Sequence, residues 1–183
     1  MKAVETRRWL RREYERLIAS GLLAPDERVE LIDGEILQMT PQGSAHATAV
    51  RLAEDALRLA FGAGYDVRGQ LPLALDPDSE PEPDVSVVTG GPRDYRLAHP
   101  GSALLVVEVA DATVDHDRLR KGSLYARAGI QEFWLINLPD RCLEVYRVPT
   151  GEGYQSTQRF LAGDIVSPAA APAASIPVDD ILP

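Results

Sequence analysis

The sequence predicts an α/β (α+β) fold, in which helices cover a central β-sheet. The main observation is a run at residues 104–109 that is apolar at odd and even positions alike, except at Glu108. Such a run is typical of a strand covered on both faces, near the middle of a sheet. A second run, residues 84–88, begins directly after Pro83, and the loop between the two runs allows the strands to pair.

Apolar residues at helical spacing predict the helices, and short runs rich in β-branched and aromatic residues predict the strands. The predicted helices cover residues 6–20, 44–60 and 115–128. The predicted strands cover residues 67–75, 84–88, 104–109, 132–137, 142–148 and 154–160. Ser44 is the predicted N-cap of the second helix, and the pair Asp33-Gly34 predicts a type I′ turn in a hairpin at residues 29–39.

The length of 183 residues, of which 45% are hydrophobic, predicts one domain that spans residues 1–183. Near the C-terminus, residues 167–175 form an Ala/Pro-rich connection. We expect this segment to be ordered, because the apolar residues beyond it, such as Ile176 and Leu182, can dock against the core. A flexible linker is the alternative, and it stays open.

The single cysteine, Cys142, cannot form an internal disulfide, which favours a reducing cytoplasm. We interpret it as a small buried side chain of a strand. No run approaches the roughly 20 apolar residues that cross a membrane, so no membrane partner is expected. Gly-rich phosphate loops, His-Glu-x-x-His and Gly-x-Ser-x-Gly do not occur, which leaves nucleophilic hydrolase and ordinary zinc chemistry unsupported.

The formal net charge of −9 counts against non-specific nucleic-acid binding, because affinity for phosphates rests on basic side chains. The arginines are nevertheless clustered. Arg93 and Arg96 lie between the two acid-bearing strands, where we expect them to contact DNA phosphates if the chain binds DNA. A second arginine cluster, in residues 7–16, is interpreted as a solvated helix face.

Asp84 and Glu108 are the candidate catalytic residues, because pairing of the two strands brings their carboxylates to one position. A carboxylate in a buried strand must be neutralised, paired or bound to a metal. Two acids meeting in a sheet indicate a divalent cation such as Mg²⁺, with the backbone carbonyl of Val109 as a further ligand. The alternative for Glu108 is a buried acid that is hydrogen-bonded to backbone amides or to an arginine.

Lys121 would place a cation beside this acid pair, near a scissile phosphate. Asp117, Lys121 and Tyr125 follow one another at four-residue spacing and share one stripe of the third helix. The alternative for Asp117 and Lys121 is an ordinary ion pair on the protein surface.

Several motifs, in this order along the chain, resemble one known family. They are Glu30-Leu31-Ile32-Asp33-Gly34-Glu35-Ile36, His46, Pro81-Glu82-Pro83-Asp84-Val85, Val106-Val107-Glu108-Val109, Asp117-x3-Lys121-x3-Tyr125-Ala126 and Gly129-Ile130-Gln131-Glu132-Phe133-Trp134-Leu135. They resemble the Uma-two family of restriction-endonuclease-like proteins, formerly a domain of unknown function, in the PD-(D/E)XK nuclease superfamily. The resemblance covers roughly residues 10–140.

The resemblance implies a restriction-endonuclease-like core, with a mixed central β-sheet flanked by helices, and a metal-dependent endonuclease that acts on DNA. Asp84 and Glu108 would bind Mg²⁺, for which Mn²⁺ substitutes. The superfamily's simplest pattern places a lysine two residues after the glutamate, where this chain has Ala110. Lys121 matches the position to which the lysine has moved in the Uma-two family.

Two further residues match the family pattern. Glu30 would add a weaker metal-binding acid, and its alternative is an exposed residue of the hairpin. His46, near the start of a helix, would be a neutral accessory residue, because a helix N-terminus depresses the pKa of histidine. Its alternative is a purely structural histidine.

The rival function is a catalytically silent nucleic-acid-binding or protein-interaction module on the same fold. The acidic charge and the displaced lysine favour it. A homodimer is expected by analogy, because cutting both strands of a duplex is commonly done by a dimer. A partner methyltransferase cannot be inferred from this sequence.

Overall fold

A six-stranded β-sheet organises the part of the chain that this computed structural model describes, residues 6–24, 26–111, 114 and 117–183. Helices in these ranges are α1 (Arg11–Ala19), α2 (Ser44–Phe61) and α3 (Gly122–Arg127), and short 3-10 turns cover Pro92–Tyr95 and Val178–Asp180. A π-helical turn, Asp117–Lys121, leads directly into α3. The strands are β1 (Val29–Ile32), β2 (Glu35–Gln38), β3 (Tyr65–Gly69), β4 (Val85–Thr89), β5 (Leu105–Ala110), β6 (Glu132–Asn137), β7 (Cys142–Pro149), β8 (Tyr154–Leu161), β9 (Ile165–Val166) and β10 (Ile176–Pro177).

The central sheet has the strand order β3-β4-β5-β6-β7-β8. Neighbouring strands run antiparallel except β5 and β6, which are parallel. The parallel pair follows from the connection, because the chain leaves β5 and passes through α3 before it returns at β6. This mixed α+β architecture confirms the predicted fold class. Val85 lies opposite Val107, so the two acid-bearing strands pair as the sequence indicates.

Different elements cover the two faces of the sheet. On the first face, α2 and the C-terminal residues pack against one set of alternating side chains, including Val107 and Trp134. On the second face, α3 and the β1–β2 hairpin pack against the other set, including Val106 and Phe133. Both β5 and β6 are buried along their whole length, which explains why the apolar run predicts a central strand.

The β1–β2 hairpin turns at the pair of residues that the sequence indicates. Asp33 and Gly34 adopt φ angles of 51° and 73°, and a type I′ turn requires this left-handed conformation at both central positions. The first helix packs on the outer side of the hairpin through Tyr14, which is buried with Val29 and Leu31. The Tyr14 hydroxyl also donates a hydrogen bond to the Val29 carbonyl at 2.8 Å.

The start of the first helix and the N-cap of the second differ from the prediction. The first helix begins at Arg11 rather than at residue 6, because the Leu10 N–H donates to the Glu13 carboxylate and caps the helix there. Helix α2 begins at Ser44, as predicted, but its N-cap is Gly43, so Ser44 is the first helical residue and not the cap.

The predicted strand at residues 67–75 is shorter than expected, and the third predicted helix is not regular. Strand β3 ends at Gly69 instead of residue 75, because Gln70 turns into the left-handed region at φ 51° and Pro72 offers no N–H. Residues 115 and 116, where the third helix is predicted to start, lie outside the described residues. From Asp117 onward the described segment is a π-helical turn, and it becomes α-helical at Gly122.

The C-terminal residues complete the first face of the sheet. Strand β10 pairs with β9, and Ile176, Val178 and Ile181 are buried against α2 and the sheet. The Ala169 N–H donates to the buried Glu132 carboxylate at 2.6 Å, which anchors the Ala/Pro-rich connection. Within the described ranges, no helix has the length and apolar character needed to cross a membrane.

Candidate active site

Asp84 and Glu108 meet where the β4–β5 ladder ends. The last paired residues are Val85 and Val107, so Asp84 lies opposite Glu108 one position further on. Directly opposite residues of antiparallel strands project from the same face. Instead of a backbone ladder bond, the Val109 N–H donates to Oδ2 of Asp84 at 2.9 Å. The strand ends therefore hold both carboxylates at one edge of the second face.

The Asp84 carboxylate is 6% exposed and has several polar partners. His46 Nε2 lies 3.1 Å from Oδ1, and the side-chain amides of Gln70 and Gln42 donate to the same oxygen at 3.2 and 3.5 Å. Burial raises the pKa of Asp84, but the His46 contact, the Val109 N–H and the charge of Lys121 lower it more, so its pKa lies below the ordinary value. Asp84 is therefore ionised at neutral pH.

Glu108 is 3% exposed and lies beneath the turn that leads into α3. The Tyr125 hydroxyl donates to Oε1 at 2.5 Å, and Lys121 Nζ lies 3.2 Å from each carboxylate oxygen. Lys121 is itself only 6% exposed. Lys121 and Tyr125 therefore both contact the Glu108 carboxylate, as expected for two residues that lie on one side of the same helical segment. The alternative of a surface ion pair is wrong for Lys121.

Glu30 is brought to the same place by the β1–β2 hairpin. It is 5% exposed, so the alternative of an exposed hairpin residue is wrong. Its Oε1 lies 3.4 Å from Lys121 Nζ, and its Oε2 accepts the Glu82 N–H at 3.1 Å. Lys121 therefore lies between Glu30 and Glu108, and the three side chains form one buried charged group.

These residues line a cleft of about 440 Å³, which we call the acidic cleft. Residues 37–43, between β2 and α2, form one wall of it. The charged and titratable residues that line the cleft are Glu30, His46, Glu82, Asp84, Glu108, Asp111 and Lys121. Five carboxylates against one lysine give the cleft a strongly negative potential. A polyanion cannot enter such a cleft closely unless cations offset the carboxylates.

The other residues predicted from the sequence lie elsewhere or are not described. The exposed Arg93 and Arg96 follow the C-terminal end of β4, whereas Asp84 precedes its N-terminal end. The strand between them is about 16 Å long at the usual rise per residue. The side chain of Asp117 lies outside the described part of the structure. Val109 lines the acidic cleft, and its carbonyl stays a predicted ligand.

Polar residues of this region that were not predicted as site residues include Gln42, Gln70 and Asp111. Gln42 and Gln70 both precede Asp84 in the chain, by 42 and 14 residues. The left-handed backbone of Gln70 is uncommon for a residue other than glycine, and nothing in its local sequence predicts it. The only signal for Asp111 was its position directly after the strand that carries Glu108.

The chemistry of these donors fits a hard divalent cation. Magnesium binds through one or two carboxylates and completes its coordination with water and substrate phosphate. Asp84 and Glu108 provide two such carboxylates, and each oxygen can accept more than one contact. No group of three or more His, Cys, Asp or Glu side chains in the described ranges could hold an ion alone. The residues therefore fit an open site better than a closed cage.

The chain matches a known protein family over most of its length. Residues 11–179 match the Uma2 family, whose description is "Putative restriction endonuclease". The chain belongs to this family. The match spans both carboxylates, Lys121 and most of the C-terminal region, and it supports a nuclease function.

A solved structure has a similar fold. It is described as a "putative nuclease belonging to DUF820" from Anabaena variabilis, and it superposes with a TM-score of 0.66. The superposition covers 89% of this chain and 94% of that one, at 19% sequence identity. At this identity the likeness supports the fold. No curated protein matches the chain.

Proposed function

We propose that this Uma2-family protein is a magnesium-dependent endodeoxyribonuclease that hydrolyses phosphodiester bonds of DNA in the acidic cleft. The observation that carries the proposal is the placement of Lys121 on the Glu108 carboxylate, opposite the ionised Asp84. The family description, a restriction endonuclease, supports DNA as the substrate.

In this proposal Asp84 and Glu108 hold Mg²⁺ or Mn²⁺, and Glu30 and the Val109 carbonyl are further candidate ligands. The ion would lower the pKa of water and offset the negative charge of the phosphate. The ionised state of Asp84 is secured by its hydrogen bonds from His46 and the Val109 N–H, so it is ready to bind a cation. His46 acts here as an accessory residue that orients Asp84.

Lys121 has a separate role. Its ammonium group lies between Glu30 and Glu108 at the wall of the cleft, where it orients the attacking water and stabilises charge on the phosphate in the transition state. Tyr125 keeps the Glu108 carboxylate in position through its short hydrogen bond. We further propose that the protein acts as a homodimer, since cutting both strands of a duplex is commonly done by a dimer. The single cysteine favours the cytoplasm as its compartment.

Plasmid cleavage tests the proposal. Supercoiled plasmid and single-stranded DNA are incubated with the parent, Asp84→Asn and the control Asp140→Asn, each with Mg²⁺, Mn²⁺ or EDTA. Asp140 is a half-exposed acid in the turn between β6 and β7 that pairs with Arg159 on β8, so its substitution matches the chemical change without touching the cleft. Cleavage that requires the metal and is lost only in Asp84→Asn is expected. A parent that binds DNA but never cuts it would favour the rival function, a nucleic-acid-binding module.

A further inference from the structure

The turn that carries Lys121 has an unusual geometry. Asp117–Lys121 forms a π-helical turn, a rare geometry that occurs mostly as a single turn within a helix and often at functional sites. A turn of this kind persists only where contacts around it stabilise it. The position of Lys121 on Glu108 therefore depends on what anchors the turn to the sheet.

A row of side chains across the sheet provides the anchor. Glu108 on β5 lies opposite Leu135 on β6, and Leu135 lies opposite Glu144 on β7. The three side chains project from the same face, so the two glutamates lie two strands apart, about 10 Å at the usual strand spacing. The π-helical turn lies above this row.

Arg118, three residues before Lys121, binds the second glutamate of the row. Its Nη2 and Nε donate to the two oxygens of Glu144 at 2.7 and 3.0 Å, a bidentate contact with fixed direction. Glu144 is itself held by the Asn137 amide at 3.1 Å and by the Tyr146 hydroxyl at 2.5 Å. The guanidinium thus contacts a carboxylate that has little freedom to move.

Neither Arg118 nor Glu144 lines the acidic cleft, so neither can touch a substrate there. The two ion pairs of the turn therefore differ in their position relative to the cleft. Lys121 with Glu108 faces the cleft, whereas Arg118 with Glu144 fixes the turn from outside it.

We propose that the Arg118–Glu144 pair positions Lys121 for catalysis by holding the π-helical turn against β7. The inference rests on the proposed nuclease function, and it adds two positioning residues that do not contact the reacting atoms. Loss of the pair lets the turn shift and moves the Lys121 ammonium away from the attacking water. A displacement of about 1 Å at a catalytic group can reduce the rate by about 100-fold.

The test compares Arg118→Met and Glu144→Gln with the control Arg147→Met. Arg147 donates twice to buried Glu132 on the first face of the sheet, and its side chain is 29% exposed, close to the 32% of Arg118. The control therefore breaks a similar ion pair with a similar effect on stability. The Arg118 and Glu144 variants should lower kcat by about 10- to 100-fold with KM within about threefold of the parent. The double variant should match either single one, because both remove the same contact.

A second measurement does not depend on activity. The chain has only two lysines, Lys2 and Lys121, so acylation of Lys121 can be followed as a single peptide by mass spectrometry. Lys121 should react several-fold faster in Arg118→Met and Glu144→Gln than in the parent and in Arg147→Met.

Parent values of both kcat and Lys121 acylation in a folded Arg118→Met protein would overturn the positioning role. If Arg118→Met does not fold, the isosteric Glu144→Gln decides the outcome by the same measurements. A parent without cleavage would contradict the nuclease function, and acylation alone would then decide whether the pair holds Lys121.

Discussion

Two buried glutamates on neighbouring strands, Glu108 and Glu132, show why burial alone does not identify a catalytic acid. Glu132 is fully buried, and both of its oxygens are occupied: Oε1 accepts from Trp134 and Arg147, and Oε2 accepts from the Ala169 N–H. Glu108 is almost as buried, but it lines the acidic cleft and its partners are Lys121 and Tyr125. The arrangement considered as the alternative for Glu108, an acid bonded to a backbone amide and an arginine, is found at Glu132.

The difference lies in what each acid can still do. Glu132 faces the side of the sheet covered by α2 and the C-terminal residues, and its contacts connect distant parts of the chain. Glu108 faces α3 at the point where the β4–β5 ladder stops, so solvent and a substrate can reach the site from the cleft. We therefore assign the first to stability and propose the second for catalysis.

The largest expected effect is on the cleavage rate, and it concerns Lys121, whose ammonium group contacts Glu108. Lys121→Ala should reduce magnesium-dependent cleavage by about 10²–10³-fold, because it removes a positive charge that stabilises the transition state. Lys121→Arg should not restore the rate, since the planar guanidinium does not fit where a buried ammonium lies between two glutamates. Initial nicking rates on supercoiled plasmid measure both effects. Cleavage by Lys121→Ala at the parent rate would remove Lys121 from the mechanism.

The second effect is on stability and concerns Glu132. Glu132→Gln places an amide NH₂ against a group that now donates a hydrogen bond to the carboxylate. It also removes the negative charge that pairs with Arg147. We expect the free energy of unfolding to fall by about 2–3 kcal/mol. Glu108→Gln should change the free energy of unfolding by less than about 1 kcal/mol, because Lys121 keeps its ion pair with Glu30 and the repulsion between Glu108 and Asp84 is relieved. Urea denaturation measures both values, and a reversed order would refute the division of roles.

A third glutamate, Glu144, gives a prediction for acid. Burial raises its pKa, but the hydrogen bonds from Arg118, Tyr146 and Asn137 have the larger, opposite effect. The pKa of Glu144 is therefore lowered from the ordinary 4.5 to about 2. A lowered pKa stabilises the fold above pH 4.5, and this contribution is lost as the pH falls towards 2. The stability difference between parent and Glu144→Gln should therefore shrink by about 3 kcal/mol across that window. Denaturation curves at several pH values measure the difference, and a constant difference would show that Glu144 does not titrate as described.

The smallest effect concerns the arginines that lie away from the cleft. If Arg93 and Arg96 contact DNA phosphates, replacing both with Ala should lower the salt slope of log affinity by up to about two units. Fluorescence anisotropy with labelled DNA at several salt concentrations measures the slope. An unchanged slope would place the DNA on another surface of the protein.

Sequence patterns predict the fold well where burial is regular. The apolar runs around Glu108 and after Pro83 locate the paired central strands, and Asp33-Gly34 locates the hairpin turn. The patterns fail where local geometry departs from a regular period. The π-helical turn before α3 has no periodic signature, and the end of β3 depends on the backbone of Gln70.

The candidate site is predictable for residues whose position in a buried strand is itself informative, such as Asp84 and Glu108. It is not predictable for partners that approach from distant parts of the chain. Nothing local to Glu132 shows that Arg147 and the Ala169 N–H will surround it, 15 and 37 residues later. The sequence therefore cannot distinguish a sealed glutamate from one that lines a cleft.

The most direct measurement compares Glu108→Gln with Glu132→Gln in magnesium-dependent plasmid nicking, at equal concentrations of folded protein. The same chemical change is made to two buried glutamates on adjacent strands, and only Glu108 lines the acidic cleft. We predict that Glu108→Gln loses at least about 100-fold in initial rate, whereas Glu132→Gln stays within about threefold of the parent. Equal rates in the two variants, or a greater loss in Glu132→Gln, would contradict the proposed catalytic role of Glu108.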